Sequence, residues 1–386
     1  MAPGTLVTGQ RGTTTINSDQ RRVDMASEIL LLEPDAAPLT VFTKNISKKK
    51  TVNPQFKWME DELDPRFSAT TQTRNTSDTT VTVTTGQGAY FKAQHIVYVP
   101  RTGELFRVAS VSTDTLTIVR GLGNGGTGVA MNNGEELLIV STAQPEGDAS
   151  KPAVTRNPVT VYNYTQIFRD EWDATGTELA TEHEGTDDWD EQALKKGIEH
   201  KKSIEYQLLV GKPSEDTSSG QARRTTGGFN HFVTTNVTDV GGTMTEAELY
   251  AGIRPCFRYG PKEKLVLSAA LPIDVVNAFA RGKVQIMQSE KTFGIRLAQL
   301  VSPHGTLNIV THWLLEGSTL GGQMWIVDPN ACKYRYLENK RGSRDTAIHK
   351  EIQANDVDGR KDEYRTECGL EFGLEKRHGK IIGITG

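Results

Sequence analysis

Few residues of this chain have the types and spacing of a catalytic site. A nucleophile elbow needs G-x-S-x-G, a dinucleotide-binding fold needs G-x-G-x-x-G between a strand and a helix, and a zinc protease needs two His around a Glu. None occurs in the required context. His304 and His312 flank one apolar strand, where a structural, hydrogen-bonded His is commoner than a ligand or base. Carboxylates are plentiful but nothing selects a general acid/base pair, so we predict no enzyme activity, no catalytic residue and no cofactor.

A second chemical possibility is a cation site in the acidic stretch EHEGTDDWDE. It contains four carboxylates and a histidine before the next element: Glu182, His183, Glu184, Asp187 and Asp188. These residues match neither a calcium-loop spacing nor an HExxH pattern. Acidic residues are favoured at the positive end of a helix dipole, so the start of a helix explains them better and no metal is predicted.

A third possibility is a phosphate loop in the Gly-rich run GLGNGGTG, from Gly121 to Gly128. A phosphate loop needs a following Lys-Ser/Thr and a helix, and neither pattern follows here. We interpret the run as a hairpin loop.

Composition narrows the class of protein. The chain has 386 residues and a net charge of only -4, so it is long enough for two or three domains and lacks the overall basic surface of a dedicated nucleic-acid binder. It has neither a membrane-length apolar run nor a signal-peptide pattern, and we expect a cytoplasmic product. Its three Cys are widely spaced without a CxxC pair, which indicates buried thiols.

The best-specified element is one long helix from Thr186 to Gly211. Acidic residues lie in its first turn, Gly211 is expected to close it in a left-handed conformation, and Pro213 cannot continue it. Four apolar residues at roughly helical spacing predict a covered face: Leu194, Ile198, Ile204 and Leu208. Such a rod suits a scaffold, although an ordinary surface helix of an enzyme has the same pattern.

The chain before this helix divides into an arm and a β-rich segment. About twenty residues rich in Thr and Gly precede a short helix ending at Glu33-Pro34 and an extended APLTVFTKNI. Lys48, Lys49 and Lys50 then precede Phe56 and Trp58, and this region is either a solvated turn or an arm docking on another subunit with the aromatics as anchors. From Thr79 to Thr142, short strands separated by turns predict a small barrel or sandwich.

The chain after the helix begins with a loop that Arg223 and Arg224 make basic. A T-x-x-E pattern from Thr243 to Glu246 predicts a capping box for a helix ending near Gly260-Pro261. Strands KLVLSA, GTLNIVTHWLL and QMWIVDP and a helix ALPIDVVNAFA then predict a compact α/β or α+β unit. From Glu363, apolar and charged residues alternate along the last segment. This pattern predicts one long, half-buried strand with its apolar residues on one face and its acidic residues largely on the other.

The order of these segments resembles that of tailed-bacteriophage major capsid proteins with the Hong Kong 97 type fold and a β-rich insertion. The resemblance rests on NPQFKWMED, the β unit ending ELLIVS, VYNYTQIFR before the long helix, GTLNIVTHWLL followed by MWIVDP, and EKRHGKIIGI. It implies an α+β fold with an N-terminal arm (1–50), an extended loop with the inserted β unit (51–165), a peripheral domain (166–242 and 330–386) with its spine helix, and an axial domain (243–329).

The resemblance also implies a function. The expected protein is the major capsid protein, which self-assembles from pentamers and hexamers into an icosahedral or prolate shell around the double-stranded DNA genome. Expected partners are scaffolding, portal and decoration proteins, with non-specific contacts to the DNA and none to a membrane. The expected location is the virion capsid, assembled in the host cytoplasm. The candidate assembly residues are Lys48, Lys49, Lys50, Phe56, Trp58, Arg223 and Arg224. No Lys–Asn pair for covalent cross-linking can be placed. The alternatives are an encapsulin-like nanocompartment shell and an unrecognised hydrolase.

Overall fold

A computed structural model describes residues 47–147, 156–181, 188–218, 220–283, 286–288, 298–317, 320–340 and 342–385. The predicted short helix before Pro34, the extended APLTVFTKNI and most of the acidic stretch lie outside these residues. The chain divides into two compact units, one of Met1–Trp58 with Thr160–Gly386 and one of Met59–Val159.

The described helices and strands are as follows. The helices are α1 Gly176–Leu179, α2 Asp188–Val210, α3 Phe229–Phe232, α4 Glu246–Cys256 and α5 Ala270–Lys283. The strands up to the long helix are β1 Lys48–Thr51, β2 Gln55–Glu60, β3 Phe67–Ala69, β4 Thr80–Thr82, β5 His95–Tyr98, β6 Leu105–Ser112, β7 Thr115–Val119, β8 Glu136–Thr142, β9 Val159–Tyr164 and β10 Gln166–Thr175. Those after it are β11 Ser214–Asp216, β12 Arg223–Thr225, β13 Val237–Gly242, β14 Glu263–Ser268, β15 Ile286–Gln288, β16 Ala298–Ser302, β17 Gly305–Thr311, β18 Met324–Val327, β19 Cys332–Asn339, β20 Gly342–Ser343, β21 Ala347–His349, β22 Gly359–Phe372 and β23 Gly379–Ile384.

The unit Met59–Val159 is a six-stranded barrel. Its strands pair in the order β3-β8-β5-β6-β7-β4, and a bridge between Thr70 and Val83 joins the two ends. Inward side chains such as Val97, Phe106 and Leu116 are fully buried. The strands expected between Thr79 and Thr142 are all present, and β3 adds one before them. The Gly-rich run connects β7 to β8, which are not neighbours, so its interpretation as a hairpin loop was wrong.

The long helix α2 runs from Asp188 to Val210, close to its predicted limits, and its first turn is acidic. Its buried face differs from the prediction because Leu194 is 59% exposed, whereas Ile204, Leu208 and Leu209 are buried. At 100° per residue Leu194 lies about 80° around the helix from Ile204, so the two cannot share one narrow face.

The closing glycine also differs from the prediction. Gly211 is not among the glycines with positive φ, so it does not end the helix in the left-handed conformation. A Cβ there would lie 2.4 Å from the carbonyl oxygens of Gln207 and Thr226, so glycine allows a close backbone approach instead.

A seven-stranded sheet in the order β13-β23-β18-β14-β17-β16-β15 carries α4 on the face opposite α2. The capping box is formed by Thr245 and Glu248, not by Thr243 and Glu246. The T-x-x-E pattern occurs twice in succession, and the first helical residue, Glu246, makes Thr245 the N-cap.

A second sheet has the order β1-β19-β22-β10. The predicted single C-terminal strand is two strands, because β22 ends at Phe372 and Leu374 takes a left-handed backbone (φ 59°). β23 then joins the other sheet. The acidic side of β22 is not solvated either: Glu363, Glu367 and Glu371 are buried. One chain segment therefore connects the two sheets.

Candidate assembly interface

The predicted lysine cluster forms β1, which is parallel to β19 and is the edge strand of its sheet among the described residues. Lys48 lies 2.6 Å from Asp345, and Lys50 lies 3.7 Å from Glu338. All three lysines are exposed, while Thr51 is buried. Charged side chains on an edge strand discourage pairing with a further strand. The cluster is therefore an ordered strand rather than the solvated turn that the sequence left open.

The predicted aromatic anchors pack within their own chain. Phe56 is 5% exposed and stacks on Trp58 with ring centroids 6.1 Å apart, and Trp58 lies 5.8 Å from Phe232. Phe232 in turn stacks on Phe372. Because Phe56 is buried in its own subunit, it is not available to a neighbour, and only the exposed part of Trp58 is.

Arg223 and Arg224 lie on β12, which pairs with β11 as a hairpin. Arg224 donates to Glu215 at 2.7 Å, and Arg223 is exposed. The lysines, the aromatics and these arginines lie on three different elements. An assembly role for them stays a prediction.

Exposed apolar side chains lie on β2 and just before and after it, in a stretch that we call the β2 segment (residues 52–63). They were not predicted from the sequence. β2 pairs with β9, and its side chains alternate: Phe56 and Trp58 point to their own subunit, and Met59 is 77% exposed. Leu63, four residues further on, is 92% exposed, and Val52 before the strand is 76% exposed. The alternation of aromatic and other residues in QFKWME is the sequence signal that indicates this.

Three buried carboxylates of β22 bind side chains of the surrounding elements. Glu363 accepts from Arg169 and Arg365, Glu367 from Arg344 and Thr165, and Glu371 from Lys333 and Arg335. Arg335 also donates to the Lys50 carbonyl at 3.2 Å, which fixes β1. Burial opposes ionisation of Glu363, but the hydrogen bond from Arg169 and the two guanidinium charges outweigh it and lower its pKa. The every-fourth spacing of glutamates was visible in the sequence, but the partners were not.

Two buried histidines connect α2 to both sheets. His200 on α2 lies 2.6 Å from Asp170 of β10 and 2.7 Å from the Thr366 hydroxyl of β22. His312, which follows β17, lies 2.6 Å from Glu205 of α2. These contacts make His312 structural, as expected, whereas His304 is exposed.

A third buried group surrounds Asp328. Lys264 lies 3.6 Å and Arg377 lies 3.5 Å from its Oδ2 atom. His378 accepts from the Asp328 N–H and contacts the Gly373 carbonyl, so its neutral form is held in place. Burial lowers the pKa of His378 to about 4.

In the barrel, the first residue of the Gly-rich run contacts a buried carboxylate of the same unit. Glu104 accepts from the N–H groups of Gly121 and Val129, and Arg120 holds the same carboxylate with both side chains buried. The backbone N–H groups at the start of the Gly-rich run and just after it therefore bind a carboxylate of the same unit.

The described residues contain no group of three or more His, Cys, Asp or Glu placed to hold a metal ion. Burial raises the pKa of the Cys256 thiol to about 12 and raises that of Cys332 well above its usual value. The three Cys are buried thiols, as expected. None of the described helices is both long and apolar enough to cross a membrane.

The chain is similar to several known proteins. The major capsid protein of Pseudomonas phage PaMx41 is 25% identical over 260 residues, and the chain spans only 62% of that relative's length while 64% of the chain is matched. A structure of Mycobacterium phage Bobi matches with a TM-score of 0.51 at 10% identity, covering 97% of this chain and 99% of that one. The holo-SrpI encapsulin complex of Synechococcus elongatus PCC 7942 matches with a TM-score of 0.41 at 14% identity, covering 60% and 77%.

The fold predicted from the sequence is confirmed, since the likeness to the phage Bobi structure extends over almost the whole chain. The model of the SU10 major capsid protein family matches residues 7–385. Because that match leaves out only the first few residues and the last one, the chain belongs to the SU10 major capsid protein family.

Proposed function

We propose that this protein is the major capsid protein of a tailed phage, which self-assembles into an icosahedral or prolate head shell around double-stranded DNA. The observation that carries the proposal is the family match over residues 7–385. Its place is the virion capsid, after assembly in the host cytoplasm. Its partners are further copies of itself, scaffolding and portal proteins, a possible decoration protein and the packaged DNA.

The domain assignment is part of this proposal. Residues 1–50 are the arm, 51–165 the extended loop with the barrel, 166–242 and 330–386 the peripheral domain, and 243–329 the axial domain. The barrel unit Met59–Val159 supports the second assignment, and the sheet that contains β22 supports the third. β13 and β23 also lie within the third assignment, but they pair in the seven-stranded sheet with the strands of the axial range.

The surface that we assign to subunit contacts is the outward side of the β2 segment. Burial of a large apolar side chain that is otherwise exposed stabilises a contact by about 1.5–3 kcal/mol. Met59 and Leu63 have the largest exposed fractions among the described large apolar residues, at 77% and 92%. On the same strand as Met59, Phe56 is buried and Trp58 is half-buried.

An encapsulin-like shell is the second candidate and shares the expected fold. The family match favours the phage capsid, and a genome neighbour encoding a portal or terminase rather than a cargo enzyme separates the two. A catalytic role has no observation in its favour.

The test is assembly of the expressed protein, followed by negative-stain microscopy and light scattering, with and without a scaffolding protein. We expect closed shells, or their pentamers and hexamers, at sufficient concentration. A strictly monomeric protein under both conditions contradicts the proposal.

A paired variant tests the assigned surface. Met59→Ser with Leu63→Ser should leave the circular dichroism spectrum unchanged and raise the protein concentration needed for assembly. Val357→Ser, at a residue that is 57% exposed elsewhere, is the matched control. Equal assembly of the paired variant and the control removes the β2 segment from the interface.

A further inference from the structure

A row of apolar side chains crosses four neighbouring strands of the barrel. Phe67 on β3 is the register partner of Leu138 on β8. Tyr98 on β5 is the partner of Leu138 on one side and of Leu105 on β6 on the other. We call these four residues the barrel row. Because register partners on adjacent strands lie side by side, the row forms one continuous line.

The barrel row lies on the outer surface of the barrel. Successive side chains of a strand point to opposite faces, and the residues next to the row on β5, β6 and β8 are fully buried: Val97, Phe106 and Leu137. Phe67 is 43% exposed, and Leu105 and Leu138 are each 36% exposed. Tyr98 is half-buried. The row is therefore held in place by the barrel core and is accessible from outside the unit.

Further apolar residues extend this surface along the strands. Val140, two residues after Leu138 on β8, is 47% exposed, and Val119 on β7 is 41% exposed. Arg107 is the register partner of Val119, and its guanidinium donates to the Gln94 side chain at 2.6 Å. Contiguous exposed apolar surface of this kind marks interaction sites.

The order of the side chains in the barrel row fits a second copy of the same row. From β3 to β6 it reads aromatic, leucine, aromatic, leucine. A two-fold axis that runs along the strands between β8 and β5 reverses this order in the second copy, as in any contact between identical surfaces. Phe67 then meets the Leu105 position of the other copy, and Tyr98 meets its Leu138 position. None of the four residues is charged, so two copies of a chain with a net charge of -4 meet here without like-charge pairs within the row.

We propose that the barrel row forms a two-fold contact between the barrels of two subunits. The inference rests on the proposed function, because shell assembly brings many copies of the chain together. It adds a surface of the barrel strands to the β2 segment. Three strand spacings make the row about 14 Å wide, which is small beside the roughly 800 Å² per partner of a stable interface. The contact therefore stabilises an assembled shell without holding two free subunits together.

Chemical cross-linking of the assembled full-length protein tests the geometry. Leu138 lies beside the proposed axis, so the two new thiols of Leu138→Cys lie close together, whereas those of Thr117→Cys, at an exposed residue of β7, lie several strands apart. Packed sheet faces lie about 10 Å apart, too far for a disulfide, so the probe is a short bismaleimide. The three native thiols are buried and should react little. We expect a covalent dimer on a denaturing gel for Leu138→Cys and loss of that dimer for Thr117→Cys.

A second variant tests the contribution of the row to assembly. Leu105→Thr with Leu138→Thr removes the leucines and keeps residues that favour strands, so the circular dichroism spectrum should not change. Each two-fold contact loses four leucines, and the protein concentration needed for assembly should rise by at least about tenfold. The matched control is Val237→Thr with Val301→Thr, at strand residues of the other unit that are 37% and 48% exposed. It should change that concentration by less than about twofold.

Three results overturn the inference. They are shells of Leu138→Cys without the covalent dimer, equal assembly of the leucine variant and its control, and a product that joins position 138 to a scaffolding protein instead of a second copy. Each of them leaves shell formation by the unaltered protein intact and contradicts only this inference. Failure of the unaltered protein to assemble contradicts the proposed function.

Discussion

His312 and Glu205 join the long helix to the seven-stranded sheet through one contact: the His312 Nε2 atom lies 2.6 Å from the Glu205 carboxylate, and neither side chain is exposed. The backbone N–H of His312 donates to the Ser268 carbonyl at the end of β14. The contact therefore fixes α2 against the ends of two parallel strands. On the same helix, His200 fixes the other sheet through Asp170 and Thr366.

Glu205→Ala should lower the free energy of unfolding by about 1–3 kcal/mol, because it leaves the buried His312 ring without this partner. Glu199→Ala is the control, since Glu199 is on the same helix with a side chain 56% exposed, and it should change stability by less than about 0.5 kcal/mol. Urea denaturation of the two variants measures the difference. Equal losses would show that the contact adds nothing to stability.

Much of this arrangement could be predicted from the sequence, because many of its features are determined by short segments of the chain. The length of α2, the strands of the barrel and the strands β14, β17 and β18 depend on apolar spacing and on turn residues, which are properties of short segments. The face of α2 could not be predicted, because it depends on two polar residues, His200 and Glu205. Their burial is possible only with partners on β10, on β22 and after β17.

The candidate site was predictable to a smaller degree for the same reason. The sequence left Phe56 and Trp58 either in a solvated turn or as anchors on another subunit. They pack within their own chain instead, where Trp58 contacts Phe232, more than 170 residues later. The acidic residues of β22 were expected in solvent, because nothing in the local pattern shows that Arg169, Arg344 and Arg335 pair with them.

Protonation of His378 should make stability depend on pH between about 6.5 and 4. Its folded pKa is lowered to about 4, so as pH falls below 6.5 the unfolded chain binds a proton that the folded chain does not. Neutral His378 therefore contributes fully to the free energy of unfolding above about pH 6.5. As pH falls from there to about 4, this stabilisation is lost at up to about 1.4 kcal/mol per pH unit.

The measurement is urea unfolding at several pH values of the unaltered protein and of His378→Asn. The variant should be less stable near pH 7 and should show a flatter dependence below pH 6.5. His304→Asn, at an exposed histidine, is the control and should keep the unaltered dependence. A pH dependence in His378→Asn as steep as that of the unaltered protein contradicts the assignment.

Glu104→Gln should destabilise the barrel and reduce its acid sensitivity. Burial raises the pKa of Glu104, but hydrogen bonds from Arg120 and Val129 and the charge of Arg120 outweigh it and leave the pKa lowered. This stabilisation is present above the unfolded value of about 4.5 and is lost as pH falls through the folded value. Amide exchange of barrel residues at pH 7 and pH 4 measures it. Glu136→Gln, at an exposed glutamate of β8, should leave both results unchanged.

Deletion of residues 1–17 should impair assembly more than folding. This part of the sequence has few large apolar residues, so it gains little from burial within its own subunit. The shortened protein should keep the circular dichroism spectrum and melting temperature of the isolated subunit, and light scattering should show slower or incomplete shell formation. Full-size shells of undiminished thermal stability would show that the arm has no such role.

A fragment of residues 59–159 should fold on its own, and a fragment of residues 79–142 should not. The shorter fragment contains β4 to β8 but lacks β3, which pairs with β8 and reaches β4 through the bridge between Thr70 and Val83. Without β3 the barrel is an open sheet, and inward residues such as Leu137 and Val81, both fully buried in the intact unit, meet water. At about 100 residues the longer fragment has a normal size for an independent domain. Far-UV circular dichroism and amide exchange of both fragments measure the difference, and equal protection in both would show that closure by β3 does not stabilise the barrel.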